Sequence, residues 1–246
     1  MTTTITSITT GSSGLVDLYA KWVAKDYIVT YTLYGGVNHT NNSSGFNKDS
    51  SEYLLWGPSR SGYTFEGEYD DTDSQVSSIP MGTTSDVTLT ARWSIITYPI
   101  TYYLNGGTND TANPTSYTVE SDTITLGSPT RVGYEFKGWS KVILTRGFNP
   151  EVSTISSGFT GDIILIANWL ITHYTITYHL NGGSKNNNPT SFSRDDNTII
   201  LSNPIKDDYS FVGWYREETF DTNVTAIITN LKEELYAKCT WGDLIL

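Results

Sequence analysis

Three stretches of this 246-residue chain are near-copies of one another. Tyr27-Ile28-Val29-Thr30-Tyr31-Thr32-Leu33-Tyr34-Gly35-Gly36 returns as Tyr98-Pro99-Ile100-Thr101-Tyr102-Tyr103-Leu104-Asn105-Gly106-Gly107. It returns again as Tyr174-Thr175-Ile176-Thr177-Tyr178-His179-Leu180-Asn181-Gly182-Gly183, so that the copies start 71 and 76 residues apart. A period that long exceeds one turn of a solenoid and describes a string of small domains. Such domains present one surface several times over, whereas catalysis needs one specialised place.

Each copy carries two further anchors. A proline (Pro58, Pro129, Pro204) precedes by four residues a glycine-aromatic cluster: Gly62-Tyr63-Thr64-Phe65-Glu66-Gly67-Glu68, Gly133-Tyr134-Glu135-Phe136-Lys137-Gly138-Trp139 and Asp208-Tyr209-Ser210-Phe211-Val212-Gly213-Trp214. A closing Leu-x-Ala-x-Trp follows at Leu89–Trp93 and Leu165–Trp169, and in lengthened form at Leu235–Trp241. The same closing segment stands near the start as Leu18-Tyr19-Ala20-Lys21-Trp22, with Ile8 14 residues before its Trp, as Ile79 and Ile155 are before theirs. The expected organisation is therefore the C-terminal half of a repeat at 1–22, then repeats at 27–93, 98–169 and 174–241. The chain reads as an excised fragment or a gene model with a false start.

Alternation sets the local structure. Tyr98, Ile100, Tyr102 and Leu104 fall on one face of a strand, with Pro99, Thr101, Tyr103 and Asn105 on the other. Asn-Gly-Gly then tolerates positive φ and reverses the chain. Short strands are expected at Tyr117–Val119 and Ser191–Ser193 and at Ile124–Leu126 and Ile199–Leu201, and further strands over the aromatic cluster and the closing segment. In the third copy, alternation puts Leu235, Ala237, Cys239 and Trp241 on one face, so Cys239 is expected in the core. Only 151–157 and 223–231 read as one or two helical turns. The fold class is mainly β, with α+β left open by that helix.

Composition narrows the function. The formal charge is −11 with only 15 Lys and Arg, which repels a phosphate backbone and argues against nucleic acid. No apolar run approaches the ~20 residues that span a bilayer, so membrane insertion by this segment is not expected, and the N-terminus does not read as a secretory signal. The lone Cys239 excludes an internal disulfide and a cysteine zinc site. Abundant Thr, Ser, Asn and Gly suit an extracellular surface.

The ordered pattern Tyr-x-Ile-Thr-Tyr-x-Leu-Asn-Gly-Gly, Pro-x-x-x-Gly-Tyr-x-Phe-x-Gly-Trp and Leu-x-Ala-x-Trp resembles the Listeria–Bacteroides repeat, also called the internalin B-repeat. The resemblance covers 27–241 in three units and 1–22 in part. It implies tandem small β-grasp-like domains, each a four-stranded sheet with a short helix, strung between the functional domains of bacterial surface proteins. It implies no catalytic residues. The first unit departs from the pattern at Tyr34, where the others have Asn, and at Glu68, where they have Trp, and carries Trp56 near its proline; its fold is expected to survive and its surface to differ.

Few constellations suggest chemistry. Asp70, Asp71 and Asp73 share one loop and suit calcium by their hard oxygens, but lack the glycine and distal Glu of an EF-hand loop. The histidines lack ligand spacing, and neither a nucleophile elbow nor a phosphate loop is present. Tyr19, Tyr34, Tyr103 and Tyr236 point outward and are the candidate ligand contacts. The expected role is a non-catalytic extracellular stalk or adhesive segment of a bacterial surface protein. Rival readings are a module that binds a protein or glycan of a host or neighbouring cell, and self-association through uncovered strand edges.

Overall fold

The computed structural model describes residues 4–142, 150–184, 187–224, 226–227 and 233–241, the last two ranges by backbone alone. Two units are separated between Ser94 and Ile95, the first holding repeat 1 and the second repeats 2 and 3.

The alternation in the opening segment becomes a central strand. In Tyr98–Tyr103, Tyr98, Ile100 and Tyr102 turn toward the core while Pro99, Thr101 and Tyr103 are exposed. This strand lies parallel to the closing strand Ile163–Ile171, with Ile100 opposite Ile163 and Tyr103 opposite Ile166. Parallel neighbours need a long crossover, which the remainder of the repeat supplies. The closing strand pairs on its other side, antiparallel, with the cluster strand Tyr134–Lys141. Ser116–Tyr117 and Glu151–Val152 complete a sheet of five strands, and Ile124–Thr125 with Thr154–Ile155 form a separate ribbon. Repeat 1 (Asp26–Thr32, Tyr63–Tyr69, Val87–Ile95) and repeat 3 (His173–His179, Tyr209–Tyr215, Glu233–Trp241) have the same strand order. In repeat 2 the core gathers Ile100, Tyr117, Trp139, Ile155, Ile163 and Leu165, all buried. Each large side chain removed from water there stabilises the fold by about 1.5–3 kcal/mol before entropy is counted.

Two contacts tie distant segments of repeat 2 together, the first between its opening and closing anchors. Leu104-Asn105-Gly106-Gly107 is a tight turn with φ of 49° at Asn105 and 87° at Gly106, closed by the Gly107 N–H donating to the Leu104 carbonyl at 3.0 Å. The indole N–H of Trp169, from the closing segment, donates to that same Leu104 carbonyl at 2.9 Å. A Cβ on Gly107 would lie 2.5 Å from the Trp169 ring, so the glycine is there for the tryptophan. Repeat 1 repeats the arrangement with Leu33, Gly36 and Trp93. The second contact centres on Asn113, whose amide donates to the Gly127 carbonyl and accepts from the Gly127 N–H at 3.1 and 2.7 Å. Asn42 treats Trp56 in the same way, and Asn188 treats Ser202. These buried or half-buried amides supply the hydrogen bonds of a missing strand residue. From sequence, Asn113-Pro114 and Asn188-Pro189 read only as turns.

The structure corrects four expectations. No helix is present among the described residues. Val152 and Ile155, in the first helical candidate, are β-branched at strand positions and pair with Trp139 and Ile124. Within the second, Asn223–Val224 and Ala226–Ile227 are strands. The sheet has five strands, where the resemblance implied four. A bulge between Phe136 and Gly138, repeated between Phe211 and Gly213, breaks the simple alternation of the cluster strand. One extra residue turns Trp139 to the face of Phe136, their rings 5.4 Å apart. Finally, residues 4–25 form no strand, and Leu18, Tyr19 and Trp22 are exposed, so the early closing segment buries no apolar face here. The Cys239 backbone pairs with Phe211, while its side chain lies outside the described residues.

Candidate interaction surfaces and a crevice between repeats 2 and 3

Tyr34 is 64% exposed because it takes the first left-handed position of its turn, where Asn105 and Asn181 stand in the other repeats. Tyr103 is 56% exposed at the end of an opening strand, and Tyr19 is exposed without a strand beneath it. Tyr236 pairs by backbone with Tyr215 and His179, its side chain lying outside the described residues. Tyr34 and Tyr103 occupy non-equivalent positions of their repeats, so the tyrosines do not compose one recurring site.

The acidic loop is held by its own bonds. One Asp70 carboxylate oxygen accepts from the Thr72 hydroxyl at 2.6 Å, the Thr72 N–H at 2.9 Å and the Ser74 N–H at 3.0 Å. Those bonds, the Thr72 hydroxyl first, hold the Asp70 carboxyl below its ordinary value. Asp73 pairs with Arg92, whose guanidinium lies over the Tyr69 ring. Among the described residues no three His, Cys, Asp or Glu side chains are grouped to hold a metal ion.

Glu68 is the least expected residue. It is 2% exposed, and neither carboxylate oxygen has a hydrogen-bond partner. Its expected effect on the surface is corrected: Glu68 occupies the core position of Trp139 and Trp214. Burial raises its carboxyl pKa, and the hydroxyl of Tyr31 is raised as well, by burial first, then Tyr53, then Glu68. Tyr53 stands where repeat 2 has Ile124 and packs against the same core.

Repeats 2 and 3 meet at a joint. The closing strand of repeat 2 ends at Ile171 and the opening strand of repeat 3 begins at His173. The residue between them, Thr172, donates its N–H to the Gly133 carbonyl at 2.9 Å. This tie brings the turn before the cluster strand against the loop after Ser191–Ser193. The Tyr134 hydroxyl donates to the Asp195 carboxylate, and that bond raises the hydroxyl's pKa. The Arg131 guanidinium lies 3.6 Å from the centre of the Tyr134 ring. A crevice of about 350 Å³ opens beside this contact, lined by Arg131 and Tyr134 on one side and Arg194 and Asp195 on the other. The sequence reading missed this site, whose groups lie 61 residues apart. Paired inspection of Arg131-x-x-Tyr134 and Arg194-Asp195 could have raised it only with the joint known.

Comparison with known proteins agrees with the architecture. Residues 27–92, 98–168 and 174–238 each match the Listeria-Bacteroides repeat domain. The chain is 31% identical over 210 residues to a putative membrane protein of Evansella cellulosilytica, covering 82% of this chain and 29% of that protein. It is 30% identical over 208 residues to a putative Gly-rich membrane protein of the same organism, covering 82% of this chain and 23% of the relative. It is 31% identical over 119 residues to internalin H of Listeria monocytogenes, covering 47% of this chain and 21% of the relative. The chain thus spans less than a third of each of these relatives. Among its described residues no helix is long and apolar enough to cross a membrane.

Proposed function

Because this chain belongs to the Listeria-Bacteroides repeat domain family, we propose that it is a non-catalytic, load-bearing spacer in an extracellular bacterial surface protein. The observation that carries this reading is the parallel pairing of opening and closing strands in every repeat. The chain enters a repeat through the opening strand and leaves through the closing strand. Tension therefore pulls two parallel neighbours in opposite senses along their length. The ladder spans four residue pairs in each repeat, from Val29 opposite Val87 to Thr32 opposite Thr90 in the first. Its bonds are loaded together in shear, whereas a hairpin pulled at its open end yields one bond at a time.

Single-molecule stretching of the whole chain tests this. The expected trace has three unfolding steps, each releasing roughly 200–240 Å of chain at ~3.3–3.6 Å per residue. Gradual extension without discrete steps would refute a load-bearing role. A turnover abolished by one carboxylate substitution would refute the non-catalytic part.

Exposed Tyr34 and Tyr103 favour an added adhesive role. Tyr103→Ala should weaken capture of a protein or glycan ligand while leaving the fold intact, as amide spectra would report. Undiminished capture would remove Tyr103 from that role.

A further inference from the structure

We propose that the crevice between repeats 2 and 3 is a binding site for an oxyanion, a carboxylate or phosphate group, which bridges the two repeats. The argument starts from charge. Arg131 of repeat 2 and Arg194 of repeat 3 both line the crevice, and neither forms an ion pair among the described residues. In a chain of net charge −11, two guanidiniums left unpaired around one crevice stand out. The lining holds one carboxylate, Asp195, which accepts the Tyr134 hydroxyl, so two guanidiniums against one carboxylate leave a net positive charge.

Position follows from the packing. The Arg131 guanidinium carbon sits 3.6 Å from the centre of the Tyr134 ring, a contact that limits its freedom. Gly106 borders it at ordinary contact distance: a Cβ there would lie 3.5 Å from the Arg131 Nε. Arg194 is fixed from its stem. Its Cβ and Cδ would lie 2.8 and 2.9 Å from a Cβ on Gly133, so the absent side chain of Gly133 lets the arginine lie against the joint. Two guanidiniums held in this way match the paired oxygens of a carboxylate or phosphate better than two lysines would. The hydroxyl-bearing Thr108 and Thr130 complete the polar lining, and the volume of about 350 Å³ admits a group of monosaccharide size. Since the walls come from different repeats, an occupant that touches both arginines ties the repeats together.

The test is an amide-resolved NMR titration of the whole chain with sodium glucuronate, and separately with inorganic phosphate, ionic strength being held constant with chloride. The expected result is saturable shifts at Gly106, Thr108, Thr130 and Arg194, abolished in both Arg131→Gln and Arg194→Gln. Saturation by glucuronate alone assigns the site to carboxylates, by phosphate alone to phosphates, and by both to oxyanions in general. Shifts that stay linear in ligand, map elsewhere or persist in both variants overturn the proposal. The dispersion of the remaining amides reports whether each variant is folded, and Arg131→Lys gives a second reading through partial retention of binding.

Discussion

Repeats 1 and 2 share strand order, turn and closing tryptophan, yet differ at the centre of their cores. Repeat 2 fills that centre with Trp139, whose indole N–H donates to the Gly127 carbonyl at 3.0 Å and whose ring meets Tyr102 and Phe136 edge-on. Repeat 1 places Glu68 there, buried with both oxygens unpartnered, near Tyr31. Backbone pairing and the turn–tryptophan contact are kept through this exchange, so the fold does not depend on a tryptophan at the centre. Four experiments would break or sharpen the comparison.

The largest effect is expected on giving repeat 2 the residue of repeat 1. Trp139→Glu removes a fully buried ring and puts a carboxylate in its place, costing at least about 4 kcal/mol. Hydrogen exchange should show protection lost across residues 98–171 and kept in repeat 1. Retained protection would mean that the core adapts locally.

Next come Gly36→Ala and Gly107→Ala, which strike what the repeats share. Each Cβ would sit 2.5–2.6 Å from the closing tryptophan. A cost of about 1–3 kcal/mol in each repeat is expected from chemical denaturation followed by tryptophan fluorescence. A difference between the two repeats would show that Glu68 has loosened the first.

Glu68 itself gives a pH dependence. Its carboxyl is raised above the ordinary 4.5 by burial, so the folded repeat binds the proton more tightly than the unfolded chain does. That stabilisation is complete below about pH 4.5 and is lost as pH rises through the raised folded value. Glu68→Gln should flatten the dependence and stabilise repeat 1 by about 1–2 kcal/mol at neutral pH. An unchanged pH profile of exchange in repeat 1 would assign the dependence to other groups.

The smallest effect concerns the tyrosine on the opening strand. Tyr102 donates to the Pro114 carbonyl at 2.9 Å, and Tyr31 to the Ser43 carbonyl at 3.1 Å. Tyr102→Phe should cost about 1 kcal/mol in denaturation. Tyr31→Phe should cost a similar amount, because its hydroxyl makes the equivalent bond. Unequal losses would show that the exchange of Trp for Glu in repeat 1 has changed the worth of this bond.

Much of the fold was legible before the structure. Strict alternation placed Ile100 in and Tyr103 out, and the Asn-Gly-Gly turn was readable because left-handed backbone has few occupants. The helical reading of 151–157 failed because two-residue strands are too short to show a period, and their partners lie a chain crossing away. The bulge was hidden for a related reason: Tyr-x-Phe-x-Gly-Trp looks like broken alternation until the inserted residue is seen. The exposure of Tyr19, Tyr34 and Tyr103 was legible, but the joint crevice was not.

The sequence by itself determined the number of modules, their central strands and their tight turns. Those features follow from backbone geometry acting over a few residues, and repetition made the signal unmistakable. Only the tertiary structure decided that Gly107 exists for Trp169, that Asn113 completes a strand's bonds, that Glu68 is buried, and that Tyr134 reaches Asp195. Each of those facts is a contact between segments distant along the chain, where burial and pairing are settled by packing. A residue's type can permit such a contact, but its neighbours in sequence do not specify it.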